Sequence, residues 1–197
     1  MKTRLHLAVN AQDMDTLRGI EGESATIYFG VFNEMLLGDP LLRMNGRSRR
    51  PPRDPVNAML SLMYVILSHD IRSACESVGL DSQVGFLHRD RPGRPSLALD
   101  LMEEFRPVLV DRFVVTLINR RQVTSSDFEN EPSGGVVLKD LARRMMLKNW
   151  QERKLEPMKH EFCNETVSTG LFVHLQARLL ARHIRGDIDT YPPCFWK

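Results

Sequence analysis

The sequence holds a few acidic residues and one histidine whose positions suit metal chemistry. Glu21 lies four residues after Leu17 and seven before Tyr28, which places a carboxylate on the apolar stripe of a helix. A carboxylate on a core-facing stripe is costly unless a positive group satisfies it, and Leu17, Ile20 and Ala25 cannot. Asp100 and Glu103 stand three apart and Glu104 follows Asp100 by four, so these acids crowd one helical face. Like charges at that spacing repel unless a cation sits beside them. His88 lies in a loop just upstream, and burial of its neighbours Phe86 and Leu87 would hold the imidazole near the same helix. Two carboxylates and an imidazole, with positions open to water and phosphate oxygens, suit an octahedral hard cation. The nitrogen ligand tilts the choice from Mg²⁺ toward Mn²⁺. Taken singly, each residue also fits an ordinary role. Glu21 suits a buried ion-pair partner, the three acids a solvated face, and His88 a loop histidine bonded to backbone.

The arginines are unevenly placed. Five fall between positions 43 and 53, among them Arg47, Arg49, Arg50 and Arg53, and Arg89, Arg91 and Arg94 form a second group. Arginine's planar fork matches phosphate, so these clusters suit a nucleic-acid backbone, and equally two solvated loops. Other chemistries lack their residues. No glycine-rich nucleotide loop and no GxSxG elbow occurs. His160-Glu161 opens like a zinc-protease motif, but Asn164 stands where its second histidine belongs. The three cysteines are far apart with no CxxC pair, which fits neither a disulfide framework nor a zinc knuckle.

The elements that must position these residues are predicted to be helical almost throughout. Apolar residues make up 42% and charged residues 26% of the 197, a globular composition. No apolar run is long enough to span a membrane, so the expectation is a cytoplasmic protein. Helical spacing predicts a helix from Asp15 to about Leu37, stopped by Gly38-Asp39-Pro40. Asp54 and Pro55 mark the start of a buried helix, with a shorter one over 71–78. Another starts near Ser96 and is broken by Pro107. Residues 122–135 read as a loop or small β-hairpin, followed by helices over roughly 137–153 and 158–185 and an extended tail at 191–197. The architecture expected is an all-α helical bundle over 14–190, with 1–13 as a lead-in.

Four segments, LRGIEGESA (17–25), DPVNAMLSLMY (54–64), VGFLHRD (84–90) and SLALDLMEEFRPVLVDR (96–112), resemble the CRISPR-associated endonuclease and integrase of spacer acquisition. They occur in the family's order, and the ending LQARLLARHIRGDIDTYPPCFWK resembles its I-C branch. The resemblance covers essentially the whole chain. It implies that Glu21, His88 and Glu103 bind Mn²⁺ or Mg²⁺, with Asp100 as a close supporting acid in the catalytic group. It also implies that Asn57 braces the site, and that Arg47, Arg49, Arg50, Arg53, Arg89, Arg91 and Arg94 grip DNA backbone.

The activity so implied is metal-assisted transesterification, in which a 3′-hydroxyl of a prespacer attacks a phosphodiester at the CRISPR repeat, or water hydrolyses DNA. The implied partners are DNA, a small ferredoxin-like adaptation protein and a second copy of the chain. Family members normally carry an N-terminal β-sandwich domain ahead of this helical lobe, and it is expected to be absent here, weakening dimerisation. Two other readings fit the residues: an inactive helical fragment that binds DNA or a partner, and a purely structural helical domain.

Overall fold

The computed structural model describes residues 2–194. The last three residues of the predicted tail lie outside the described residues. The chain divides into two compact units, one of residues 1–59 with 115–137 and one of 60–114 with 138–197. It is mostly helical, as expected, with two small hairpins, of which one was expected.

In the first unit, α1 (Lys2–Val9) occupies the predicted lead-in, and α2 spans Met14–Gly30. Asp13 caps α2 by accepting from the Thr16 N–H at 2.7 Å. The predicted run to Leu37 is interrupted: Val31 leaves α geometry and Phe32–Met35 form a 3-10 turn. This turn buries Phe32, whose ring meets Tyr28 and Phe29 at 6.0 and 5.9 Å. Gly38 touches backbone, because a Cβ there would lie 2.1 Å from the Ile118 carbonyl oxygen. The hairpin of β1 (Phe128–Asn130) and β2 (Val136–Leu138) falls where the turn residues place it. It is tied to the arginine-rich loop by the Val136 N–H donating to the Pro52 carbonyl at 2.8 Å.

Asp54 and Pro55 begin α3 (Pro55–Ser77) as predicted, the Asp54 carboxylate accepting from the Asn57 N–H at 2.8 Å. The break expected near Asp70 does not occur. No glycine or proline stands there, and Ile71, Ala74 and Cys75 continue the buried face. The helix stops at Gly79, whose φ of +81° suits a residue without Cβ.

In the second unit, α4 (Ser96–Met102) is followed by a π-helical segment, Arg106–Asp111, and then α5 (Arg112–Asn119). Pro107 sits in the first turn of the π segment, where its missing N–H costs nothing. α6 (Asp140–Leu155) packs on α7 (Thr169–Ile184). Between them the expected single helix over 158–185 is corrected. Residues 157–168 form an antiparallel hairpin of β3 (Pro157–His160) and β4 (Glu165–Ser168), pairing His160 with Glu165. Pro157 resists helix continuation, Thr166 and Val167 favour a strand, and Asn164 at φ +53° makes the turn. His160 is buried here, its ring 4.7 Å from that of Phe172.

Candidate metal centre and its supports

His88 is held by Asp100. The ring Nδ1 lies 2.6 Å from Asp100 Oδ1, which also accepts the His88 N–H at 2.9 Å, while Oδ2 accepts from Phe86 and Leu87 at 2.5 and 3.0 Å. One carboxylate thus closes the turn of the G-F-L-H segment and orients its imidazole. Gly85 permits this closeness, since a Cβ there would lie 2.7 Å from Ser96 Cβ and 2.9 Å from Asp100 Oδ2. Burial pushes the Asp100 pKa up, and the bonds from the His88 ring and the three backbone N–H groups outweigh it, leaving it below the ordinary carboxylate range. Asp100 is therefore an anchoring anion whose oxygens are already engaged.

Glu103 stands one turn beyond Asp100, just past the end of α4, with a third of its side chain exposed. It forms an ion pair with Arg106, whose guanidinium lies over the Tyr64 ring at 4.5 Å. The Tyr64 hydroxyl donates to the buried carboxylate of Asp111. Burial works against the charge of Arg106, and Glu103 and Tyr64 more than offset it, so its pKa is raised. Sequence reading missed Arg106 and Tyr64. The available signal was the three-residue spacing of Glu103 and Arg106, which pairs opposite charges on a helix.

Glu104 does not join a solvated acidic face. It accepts from the Tyr191 hydroxyl at 2.6 Å, the Cys194 N–H at 2.9 Å and Gln176 Nε2 at 3.0 Å. Burial raises its pKa, against those hydrogen bonds. Burial, with the Glu104 charge, pushes the Cys194 thiol up to about 12.

In the first unit, Glu21 is exposed, and no residue of α2 is fully buried. The desolvation cost that helical spacing assigned to Glu21 is therefore not incurred, because α2 is covered too thinly to bury its stripe. Asn57 is fully buried. Its Oδ1 accepts from Arg47 at 2.6 Å and from the Ser48 N–H at 3.1 Å, and its Nδ2 donates to the Gly46 carbonyl at 2.8 Å and to Asp54 at 2.6 Å. Arg47 is committed to the fold of its own loop, whereas Arg49, Arg50 and Arg53 are exposed. In the second unit Arg89 and Arg91 are exposed and Arg94 half-buried.

A family profile described as "CRISPR associated protein Cas1" matches residues 1–152. The chain belongs to the Cas1 family. A protein of Rhodospirillum rubrum named CRISPR-associated endonuclease Cas1 2 is 59% identical over 192 residues, 97% of this chain and 56% of the relative. A solved casposase bound to an integration product is 26% identical with a TM-score of 0.86, covering 95% of this chain and 52% of that one. A chain of a Cas6-RT-Cas1–Cas2 complex is 26% identical with a TM-score of 0.85, over 98% of this chain and 21% of that one. The chain spans about half the length of curated Cas1 relatives it matches.

Within this Cas1 fold the donors in the second unit fit a divalent cation by their chemistry. Asp100 Oδ1 faces His88 Nδ1, so Nε2 is the ring nitrogen not engaged by this carboxylate, and a carboxylate on the other ring nitrogen is the usual support of a metal-bound histidine. Glu103 offers hard carboxylate oxygens, currently neutralised by Arg106. Among the described residues no group of three or more His, Cys, Asp or Glu side chains is gathered as a metal cluster. No described helix is long and apolar enough to cross a membrane.

Proposed function

We propose that this chain is the catalytic lobe of a divalent-metal-dependent DNA endonuclease and integrase acting in CRISPR spacer acquisition. The observation that carries the reading is the His88–Asp100 pair: a half-buried anion commits four hydrogen bonds to fixing one imidazole and its loop, with Nδ1 turned to the carboxylate. That arrangement is costly for a loop histidine and purposeful for a ligand.

In this reading His88, Glu103 and Glu21 are the protein ligands for Mn²⁺ or Mg²⁺. When bound, the cation polarises a phosphodiester and offsets the charge that builds as a 3′-hydroxyl or water attacks. Asp100 keeps the ring in its tautomer and orientation. Arg49, Arg50, Arg53, Arg89 and Arg91 bind DNA backbone with little sequence preference. The relatives support the substrate and partner: one is named an endonuclease, one neighbour was solved on an integration product, and one in complex with Cas2. DNA, a Cas2-like small protein and a second copy of the chain are accordingly the partners proposed.

The test is Mn²⁺ binding by calorimetry together with Mn²⁺-dependent nicking or strand transfer on DNA. The unaltered chain should bind and cut, and His88→Ala should lose both. Undiminished cutting by His88→Ala would remove the ligand assignment.

A second reading draws on the ion pair of Glu103 with Arg106 and the exposure of Glu21. It makes the chain a DNA- or partner-binding module without catalysis. It requires DNA binding indifferent to chelator and to His88→Ala, with no cutting above background.

A further inference from the structure

We propose that the C-terminal segment 191–194 is a clasp that positions Glu103 by gripping its neighbour Glu104, so that Tyr191 and Glu104 are positioning residues for the metal centre. The inference rests on the reading of Glu103 as a ligand.

The junction after α4 is short and irregular, and the fully buried Phe105 anchors its far end. The helix ends at Met102, and the next regular turn begins only at Arg106. In between, the Glu103 N–H donates to Asp100 at 3.2 Å and the Phe105 N–H to Met102 at 2.9 Å, and the Phe105 carbonyl accepts from the Leu109 N–H at 2.8 Å. A shift of the backbone at 103–104 would swing Glu103 relative to His88, whose orientation is set one turn earlier by Asp100.

The clasp adds a restraint at Glu104 from outside the junction. Glu104 Oε1 takes the Tyr191 hydroxyl, and Oε2 takes both the Cys194 N–H and Gln176 Nε2. Nε2 of Gln176, fully buried on α7, also lies 2.7 Å from Tyr191 Oη and 2.8 Å from the Pro192 carbonyl, so its two hydrogens are shared among three acceptors. Its Oε1 is in turn 3.0 Å from Nε2 of the buried His160, on the β3–β4 hairpin. A single carboxylate is thereby bonded to the tail and to α7, and through Gln176 to the hairpin. Such a network is strong only when complete, because each removed partner leaves a buried polar group unsatisfied. Glu103 and Glu104 are consecutive, so fixing one side chain from below restricts the backbone that aims the other.

A purely structural tail would need none of this reach toward α4, and its loss would loosen only itself. The proposal therefore makes a local claim about residues 103–105. In the full chain, Tyr191→Phe removes one hydroxyl and keeps the ring, and a chain ending at residue 190 removes the clasp outright. Amide hydrogen exchange should show faster exchange at Glu103 and Phe105 in both, with α6 amides unchanged. Mn²⁺ affinity, measured by calorimetry, should fall on the order of 10-fold or more, the usual effect of losing an outer support. Met146→Ala, a core change on α6, serves as a control that lowers stability without touching the clasp.

Faster exchange confined to the tail overturns the clasp, whatever the metal does. Faster exchange at 103–105 with unaltered Mn²⁺ affinity makes the clasp merely structural and overturns the positioning role, as does an equal loss of affinity in Met146→Ala. Failure of the unaltered chain to bind Mn²⁺ removes the ligand reading, and with it the consequence drawn for Glu103.

Discussion

Asp100 Oδ1 lies 2.6 Å from His88 Nδ1, and the same carboxylate accepts the backbone N–H groups of residues 86, 87 and 88. Orientation of the imidazole and closure of its loop therefore depend on one anion. Asp100→Asn keeps the size of the side chain and removes the charge. Mn²⁺ affinity should drop about 10- to 100-fold, as for other outer partners of a ligating histidine. Nitrogen-15 NMR of the ring should show Nδ1 protonated in the unaltered chain and a mixed tautomer in the variant. Identical spectra would contradict the assigned role.

Gly85→Ala tests the closeness that this arrangement requires. Its new methyl meets Ser96 Cβ and Asp100 Oδ2 well inside contact distance. Such overpacking costs about 1–3 kcal/mol. Urea unfolding should register that loss, and it should be accompanied by faster exchange of the 86–88 amides.

Asn57→Ala should release the arginine-rich loop. The side chain is fully buried and serves Arg47, Ser48, Gly46 and Asp54 together. Leaving such partners unsatisfied costs about 1–3 kcal/mol. Limited trypsin digestion should then cut after Arg49 or Arg53 faster than in the unaltered protein, and equal rates would mean the loop holds itself.

Cys194 reports the seating of the tail. Its thiol is pushed up to about 12 by burial and by Glu104, so thiolate accumulates only at strongly alkaline pH. At pH 8 iodoacetamide should modify Cys194 much more slowly in the folded chain than in urea, as followed by mass spectrometry. Equal rates would place the tail off Glu104.

Charge reversal at Arg49 and Arg50 should weaken DNA binding and flatten its salt dependence, by about 0.9 in log–log slope for each phosphate no longer neutralised. An unchanged slope would make that loop merely solvated.

Much of this was legible in the residues. The Asp54-Pro55 start, the G-F-L-H loop, the helix from Ser96 and the hairpin after 122 all follow from local rules of capping, turn chemistry and proline. What escaped depends on partners far along the chain. Tyr191 is 87 residues from Glu104, and no spacing rule pairs them. Glu21 looked expensive only because helical spacing reports which side chains share a stripe, and not how thickly that stripe is covered. The acids after Leu99 looked alike by type, yet one anchors a loop, one pairs with arginine and one grips the tail. The β3–β4 hairpin hid behind a flanking helical pattern long enough to absorb it.

The π-helical turn has a consequence for how this chain can vary in length. Arg106 and Asp111, five residues apart, both reach Tyr64, one over its ring and one at its hydroxyl. In an α-helix residues five apart point about 140° away from each other, whereas π spacing brings them to one side. Deleting one residue between them would convert the turn to ordinary α geometry and set the same two side chains four apart, again on one side. The segment is thus a splice point: a relative could lose a residue here and still hold the tyrosine from both ends.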